Sequence, residues 1–263
     1  MASLKKRGLR LLVIVPLLAA SACITTSSRP PLAPASPEDA AQYNLQLGIS
    51  YLRDNKLQAA REKFERALKQ EPRLATAEWA LGVVFERLED PKGAEVHYRR
   101  ALELDGSDPD ALNAMAVFTC NYKQDPAEAL KLFDRAIAVP LSRKVANRVM
   151  LYTNAGTCAK QVDLARSEAY LRKALKEDPQ FGDALLQLAQ VTLDEGKPLQ
   201  ARGFLERYMA QSPATAATLY LGARIEQALN DDTAARHYSD RLRNEFPESN
   251  EVRQLAEQAQ SRS

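Results

Sequence analysis

Ala41–Leu74 reads AQYNLQLGISYLRDNKLQAAREKFERALKQEPRL, and the rest of the chain is organised around it. Within it Leu47-Gly48, Tyr51, Ala60, Phe64, Ala67 and Pro72 stand at a spacing that returns along the sequence. The second copy, 75–108, carries Leu81-Gly82, Phe85, Ala94, Tyr98 and Ala101; the third, about 109–142, carries Met115-Ala116, Ala129, Phe133 and Ala136. Ala155-Gly156, Leu171, Ala174 and Pro179 hold the places in the fourth (about 143–181), and Leu188-Ala189, Ala201, Leu205 and Pro213 in the fifth (about 182–214). The sixth, about 215–248, has Leu221-Gly222, Ala234, Tyr238 and Pro247. From Gly48 the small residue recurs after 34, 34, 40, 33 and 33 residues, at Gly82, Ala116, Gly156, Ala189 and Gly222. The long step places an insertion near Pro140-Leu141-Ser142.

A period of about 34 residues with L-G-x2-Y, A-x3-F-x2-A and a closing proline matches the tetratricopeptide repeat, a helix–turn–helix unit. The expected fold is all-α: a right-handed superhelix of six antiparallel helix pairs over 37–263, closed by a capping helix at 249–260. Apolar residues recur at three and four from Pro37 onward, and no strand signal interrupts them. The physical demand is close helix contact. Gly or Ala lets backbones approach, while the aromatic near the twenty-fourth place fills the space between repeats. Each helical glycine costs about 1 kcal/mol against alanine, which close packing must offset. Asp90-Pro91 and Asp125-Pro126 mark starts of second helices, and Ser36-Pro37-Glu38-Asp39 the start of the first. Val252, Leu255, Ala256 and Ala259 give the terminal helix its apolar side, and Arg241 stands where the sixth copy should have a small residue.

Ahead of the repeats the composition changes. Lys5, Lys6, Arg7 and Arg10 lead into the apolar run Leu11–Leu18 and the small residues Ala19-Ala20-Ser21-Ala22, directly before Cys23. The run is well short of the roughly 20 residues a spanning helix needs. Residues 1–22 therefore read as a secretory signal. Its end resembles a bacterial lipobox, with Cys23 as the lipid-attachment residue and Ala20 where leucine is usual; the alternative is ordinary cleavage near Ala22 that leaves Cys23 free. Ile24 after the cysteine implies, by the same resemblance, the periplasmic face of the outer membrane. Residues 23–36, with Pro30, Pro31 and Pro34, read as a semi-extended tether reaching up to roughly 40 Å. Losing the four basic residues of the signal takes the formal charge from +2 to −2, which gives no electrostatic footprint for nucleic acid.

Little in the sequence suggests chemistry. It has no Gly-rich phosphate loop, no H-E-x-x-H and no G-x-S-x-G. His97 and His237 share one repeat position four copies apart, read as solvent-edge residues of second helices. The expectation is a monomeric protein-binding scaffold, not an enzyme, with no metal, cofactor or small-molecule substrate. Cys120 and Cys158 both fall near the end of a first helix, in neighbouring repeats. In an oxidising periplasm they are expected to join; the alternative is two small buried hydrophobes.

First helices of such repeats line a concave groove. In this register that gives Leu45, Ile49, Leu52 and Arg53, then Trp79, Val83, Glu86 and Arg87. Asn113, Val117 and Asn121 follow, then Thr153, Thr157 and Gln161, and later Leu186, Gln190 and Leu193. Trp79 reads either as the binding anchor or as core between repeats. The first two repeats, apolar with basic edges, are the expected docking face. Ile49 and Val83 stand where the clamp for chaperone tails wants asparagine.

Lipoprotein signal, short tether, six repeats and capping helix together resemble the type IV pilus biogenesis and stability lipoproteins of the PilF/PilW family. The resemblance is carried by Ala111-Leu112-Asn113-Ala114-Met115-Ala116, by Tyr152-Thr153-Asn154-Ala155-Gly156 with Cys158-Ala159, and by Leu221-Gly222-Ala223-Arg224-Ile225. Tyr238, Leu242 and Phe246-Pro247-Glu248-Ser249 add to it, while Ala20 and Ala116 depart from the family pattern. It implies a pilotin that binds the type IV pilus secretin, the outer-membrane channel, and aids its localisation and multimer assembly. The rival expectation is a repeat scaffold for another envelope machine, such as outer-membrane protein assembly or peptidoglycan enzymes.

Overall fold

A computed structural model describes residues 36–140 and 147–261, with side chains as far as Glu257. The signal, Cys23 and the tether lie outside the described residues, as does most of the expected insertion after Pro140. Thirteen helices and no strand occur among the described residues. They run α1 (Pro37–Arg53), α2 (Leu57–Gln70), α3 (Ala75–Arg87), α4 (Pro91–Leu104), α5 (Pro109–Asn121), α6 (Pro126–Ile137) and α7 (Arg148–Ala159). Then follow α8 (Leu164–Glu177), α9 (Gly182–Asp194), α10 (Pro198–Met209), α11 (Ala216–Ala228), α12 (Asp232–Glu245) and α13 (Asn250–Ser261). Each odd helix up to α11 packs most extensively on the even helix after it, then the even helix meets the next pair. The result is six stacked helix pairs with α13 lying on α11 and α12, a tetratricopeptide superhelix.

Why the chain turns where it does follows from its caps. Ser36 Oγ accepts from the Asp39 amide at 3.0 Å and Asp39 answers back to the Ser36 amide, a capping box that ties off first-turn donors. Asp90, Asp125, Asp163 and Asp231 each accept from an amide in the first turn of α4, α6, α8 and α12. Asp108-Pro109 does the same for α5, an odd helix, which the sequence reading had not marked. The α1–α2, α3–α4, α9–α10 and α11–α12 turns close alike. The amides of Lys56, Asp90, Lys197 and Asp231 return to carbonyls five residues back, at 2.8 to 2.9 Å. The residue just before, Asn55, Glu89, Gly196 or Asn230, takes φ between 57° and 74°, the left-handed step such a helix ending requires. Glu89 holds it without glycine's freedom.

The core depends on one repeated contact. A Cβ placed on Gly48 would lie 2.6 Å from the ring of Phe64, and one on Gly222 would lie 2.6 Å from the ring of Tyr238; at Gly82 the ring of Tyr98 is closer still. Leu171 fills the same place over Gly156, whose carbonyl also accepts from the buried Ser167 hydroxyl at 2.7 Å. In the first, second and sixth repeats the aromatic of the second helix thus lies on the glycine of its own repeat, rather than only filling the space between repeats. It serves the next repeat as well: Phe64 shares a cluster with Ala77, Ala80 and Leu81, and the Tyr98 ring meets Phe118 with centroids 5.6 Å apart.

Between α6 and α7 the linker is ten residues, against four to six between the other pairs. Here Cys120 of α5 and Cys158 of α7 are bonded, with Cα atoms 6.1 Å apart. The bond clamps two odd helices together across the joint where the chain between them is longest. At the far end Leu255 of α13 is buried with Leu219 and Leu242, while Ala256, expected on the apolar side, is exposed.

Two outcomes are expected. Gly82→Ala should destabilise by about 1–3 kcal/mol through overpacking against Tyr98. Gly203→Ala, in α10 with nothing within 4 Å of its Cβ position, should stabilise by up to about 1 kcal/mol through helix propensity alone. Urea titrations followed by circular dichroism read both, and shifts of the same sign would contradict the packing argument. Replacing both Cys120 and Cys158 by alanine, which opens a cross-link 38 residues apart in sequence, should lower stability by about 2–4 kcal/mol. An unchanged midpoint would show that the bond does not hold the joint.

Candidate functional site

Odd helices α3, α5 and α7 bring one face each to a shared hollow. Trp79 and Val83 of α3, Ala114 and Val117 of α5 and Met150 of α7 supply apolar lining, with Tyr98 of α4 also facing it. Glu86, Arg87, Asp110, Asn113 and Asn154 supply the polar lining of this space of about 400 Å³. A smaller hollow of about 190 Å³ adjoins it through Asp110, Asn113, Met150 and Asn154, toward Asn147 and Pro109. A third, toward Asn121, Thr157 and Gln161, shares Val117 and Asn154 and has the Cys120–Cys158 bond in its wall. The three form a trough across repeats two to four.

Its polar groups differ in how far they are already engaged. Arg87 donates to the Leu52 carbonyl at 3.0 Å, so its charge is partly spent on the first repeat. Asn154 Nδ2 donates to Asn113 Oδ1 at 3.0 Å, tying α7 to α5. Glu86 accepts from the Tyr98 hydroxyl at 2.8 Å. Burial raises the Glu86 pKa above the usual carboxylate value, against the lowering effects of that bond and of Arg87. Asp110 is pushed up to about 6, first by burial and then by the neighbouring Asp108 charge. Among the described residues neither Glu86 nor Asp110 has a lysine, arginine or histidine in ion-pairing contact.

The residues expected to line the groove divide three ways. Trp79, Val83, Glu86, Arg87, Asn113 and Val117 line the main hollow, and Asn121, Thr157 and Gln161 the third. Trp79 packs against the apolar clusters that join the first repeat to the second and the second to the third, as its core reading expects, and it also faces the hollow, its Nε1 buried without a hydrogen-bond partner. Ile49 and Leu52 are half-buried against the first cluster, and Arg53 is exposed. Leu186 and Leu193 are half-buried against the cluster of α9–α11, while Gln190 bonds Asp194 at 2.9 Å.

Leu45 and Thr153 are corrections. Leu45 is 4% exposed and belongs to the core with Phe64 and Ala60, so it offers nothing to a groove. Thr153 is 5% exposed, its hydroxyl donated to the Val149 carbonyl one turn back at 2.8 Å. Asn154, the next residue, lines the hollow instead. Met150 and Asp110 are further lining residues that positional counting missed. The available signal was the Asn-Ala pair repeated as Asn113-Ala114 and Asn154-Ala155. His97 also departs from expectation: it is half-buried, its Nδ1 2.8 Å from Glu78 and its ring stacked on Phe85, whereas His237 is exposed.

A sequence profile described as tetratricopeptide repeat matches residues 45–109 and 159–216. The type IV pilus assembly protein PilF of Pseudomonas aeruginosa is 26% identical over 235 residues, covering 89% of this chain and 92% of that protein. The crystal structure of PilW, described as a widely conserved type IV pilus biogenesis factor, superposes with a TM-score of 0.76 at 28% identity, over 82% of this chain and 98% of PilW. A structure of Pseudomonas aeruginosa PilF gives 0.75 at 26% identity, over 84% and 99%. The likeness runs through nearly the full length of both partners, so the chain belongs to the tetratricopeptide-repeat proteins of type IV pilus biogenesis, with PilF and PilW.

Proposed function

We propose that this protein is a pilotin. It is held at the periplasmic face of the outer membrane by lipid on Cys23, and it binds the type IV pilus secretin and promotes its assembly into multimers. The observation that carries this is the match to PilF and PilW over almost all of each chain. Both relatives are named for type IV pilus assembly or biogenesis, and the match runs over 82% to 89% of this chain and 92% to 99% of theirs. The trough across repeats two to four supports a binding role. Its Trp79 edge and the apolar residues opposite form the kind of aromatic-anchored hollow from which binding energy comes. The proposed docking face is therefore repeats two to four rather than one and two, a reading supported by the burial of Leu45 and the accessibility of Asn113, Met150 and Asn154.

The mechanism is concentration without chemistry. A scaffold anchored beside the membrane raises the local concentration of the subunits it holds, converting encounters between them into near-intramolecular events. Anchoring of that kind needs more than one acyl chain, which a lipidated amino-terminal cysteine provides.

Deletion of the gene should remove heat-resistant secretin multimers from outer-membrane fractions, together with surface pili and twitching; intact multimers would refute the proposal. Cys23→Ser should shift the protein out of the membrane fraction, and an unchanged distribution would refute the lipid anchor. Trp79→Ala, which empties the hollow's edge, should reduce co-purified secretin by about tenfold or more in a protein that retains its helical signal.

A further inference from the structure

The main hollow carries more information than an apolar groove would. Two carboxylates, Glu86 and Asp110, face it alongside Trp79, Val83 and Met150. Asp108, the acid nearest Asp110 in sequence, is already occupied in capping α5 through the amides of Asp110 and Ala111. Among the described residues Arg87 is the one cation lining the hollow, and it is turned to the Leu52 carbonyl. A desolvated carboxylate with no cation is unfavourable, and a ligand that brings the cation removes that penalty.

The amide pair adds a second constraint. Asn154 Nδ2 and Asn113 Oδ1 satisfy each other, which leaves the Asn113 NH2 as donor and the Asn154 carbonyl as acceptor. One donor beside one acceptor is the complement of a peptide group. The hollow also shares lining residues with the two beside it, so a chain laid along the trough would meet all three in turn.

We propose that this hollow takes an extended segment of a partner protein in which a lysine or arginine stands next to a large apolar side chain. The apolar group fills the space between Trp79, Val83 and Met150. The cation meets Glu86 and Asp110, and the backbone between them bonds Asn113 and Asn154. The raised carboxylate pKa values agree with this: burial is the first cause at both, and a cation brought by the ligand would favour the charged forms. The inference rests on the scaffold reading above but does not require that the partner be the secretin.

The test is selection of a random twelve-residue phage library on the full chain, with an Asp110→Lys chain as counter-selection. The expected result is enrichment of Lys or Arg adjacent to Leu, Ile, Phe or Met. A synthetic peptide of the enriched sequence should then bind about tenfold more weakly to Asp110→Asn and to Glu86→Gln. Met150→Ala should weaken it without changing the preference for a basic residue. Thermal melts of the variants confirm that each is folded. Enrichment of acidic peptides, no enrichment, or affinity unchanged by Asp110→Asn would overturn the inference. So would a concentration-dependent dimer in sedimentation that Asp110→Lys abolishes, since a second copy would then be the occupant. Loss of basic-peptide selection with secretin multimers still dependent on the chain overturns this inference alone. Selection intact with multimers independent of the chain overturns the pilotin reading alone.

Discussion

A ring packed against a helical glycine sets the distance between the two helices of a repeat, and the rest of the structure follows from that distance. At Gly48, Gly82 and Gly222 the space a methyl group would need is already taken by Phe64, Tyr98 and Tyr238. The same rings reach the next repeat, so one contact fixes both the pair and its stacking. Glycine is unfavourable inside a helix, and its recurrence there makes sense only because the ring recovers more in packing than the helix loses. Gly156 shows how far the contact can vary: leucine replaces the ring, and a serine hydroxyl bonds the glycine carbonyl.

Tyr98 connects this core to the groove. Its ring belongs to the packing over Gly82, while its hydroxyl holds Glu86, one of the acids that face the hollow. The phenol is buried, and burial with the adjacent Glu86 charge raises its pKa, so it stays a neutral donor. The orientation of a groove carboxylate is therefore inherited from the interior. Asn113 and Asn154 play a related part between α5 and α7, where the hydrogen bond and the Cys120–Cys158 link lie at successive levels of the same pair of helices.

The fold was legible because packing imposes a period. Small residues and rings must return each time a helix pair is added, and a period survives even where individual residues vary, as Ala116 and Leu171 do. The groove was less legible. Groove positions are defined by what the superhelix leaves uncovered, and one step along a helix rotates a side chain by about 100°, which separates buried Thr153 from half-buried Asn154. Leu45 failed for a different reason: as a hydrophobe on a first helix it fits core and groove equally well in sequence, and only its neighbours decide. The left-handed residues Glu89 and Gln124 left no signal, because neither type favours that conformation. The resemblance of whole stretches to one family identified the chain's kind more securely than any single groove position.

The Cys120–Cys158 bond also decides how the chain would carry load. Force applied at the two ends passes along the backbone, but at Cys120 it crosses directly to Cys158 and bypasses everything between. The 38-residue stretch so enclosed represents roughly 130 Å of contour length that tension cannot draw out. It contains α6, the longest linker in sequence and most of α7. The bond thus acts as a mechanical strap that keeps α5 and α7 together under tension.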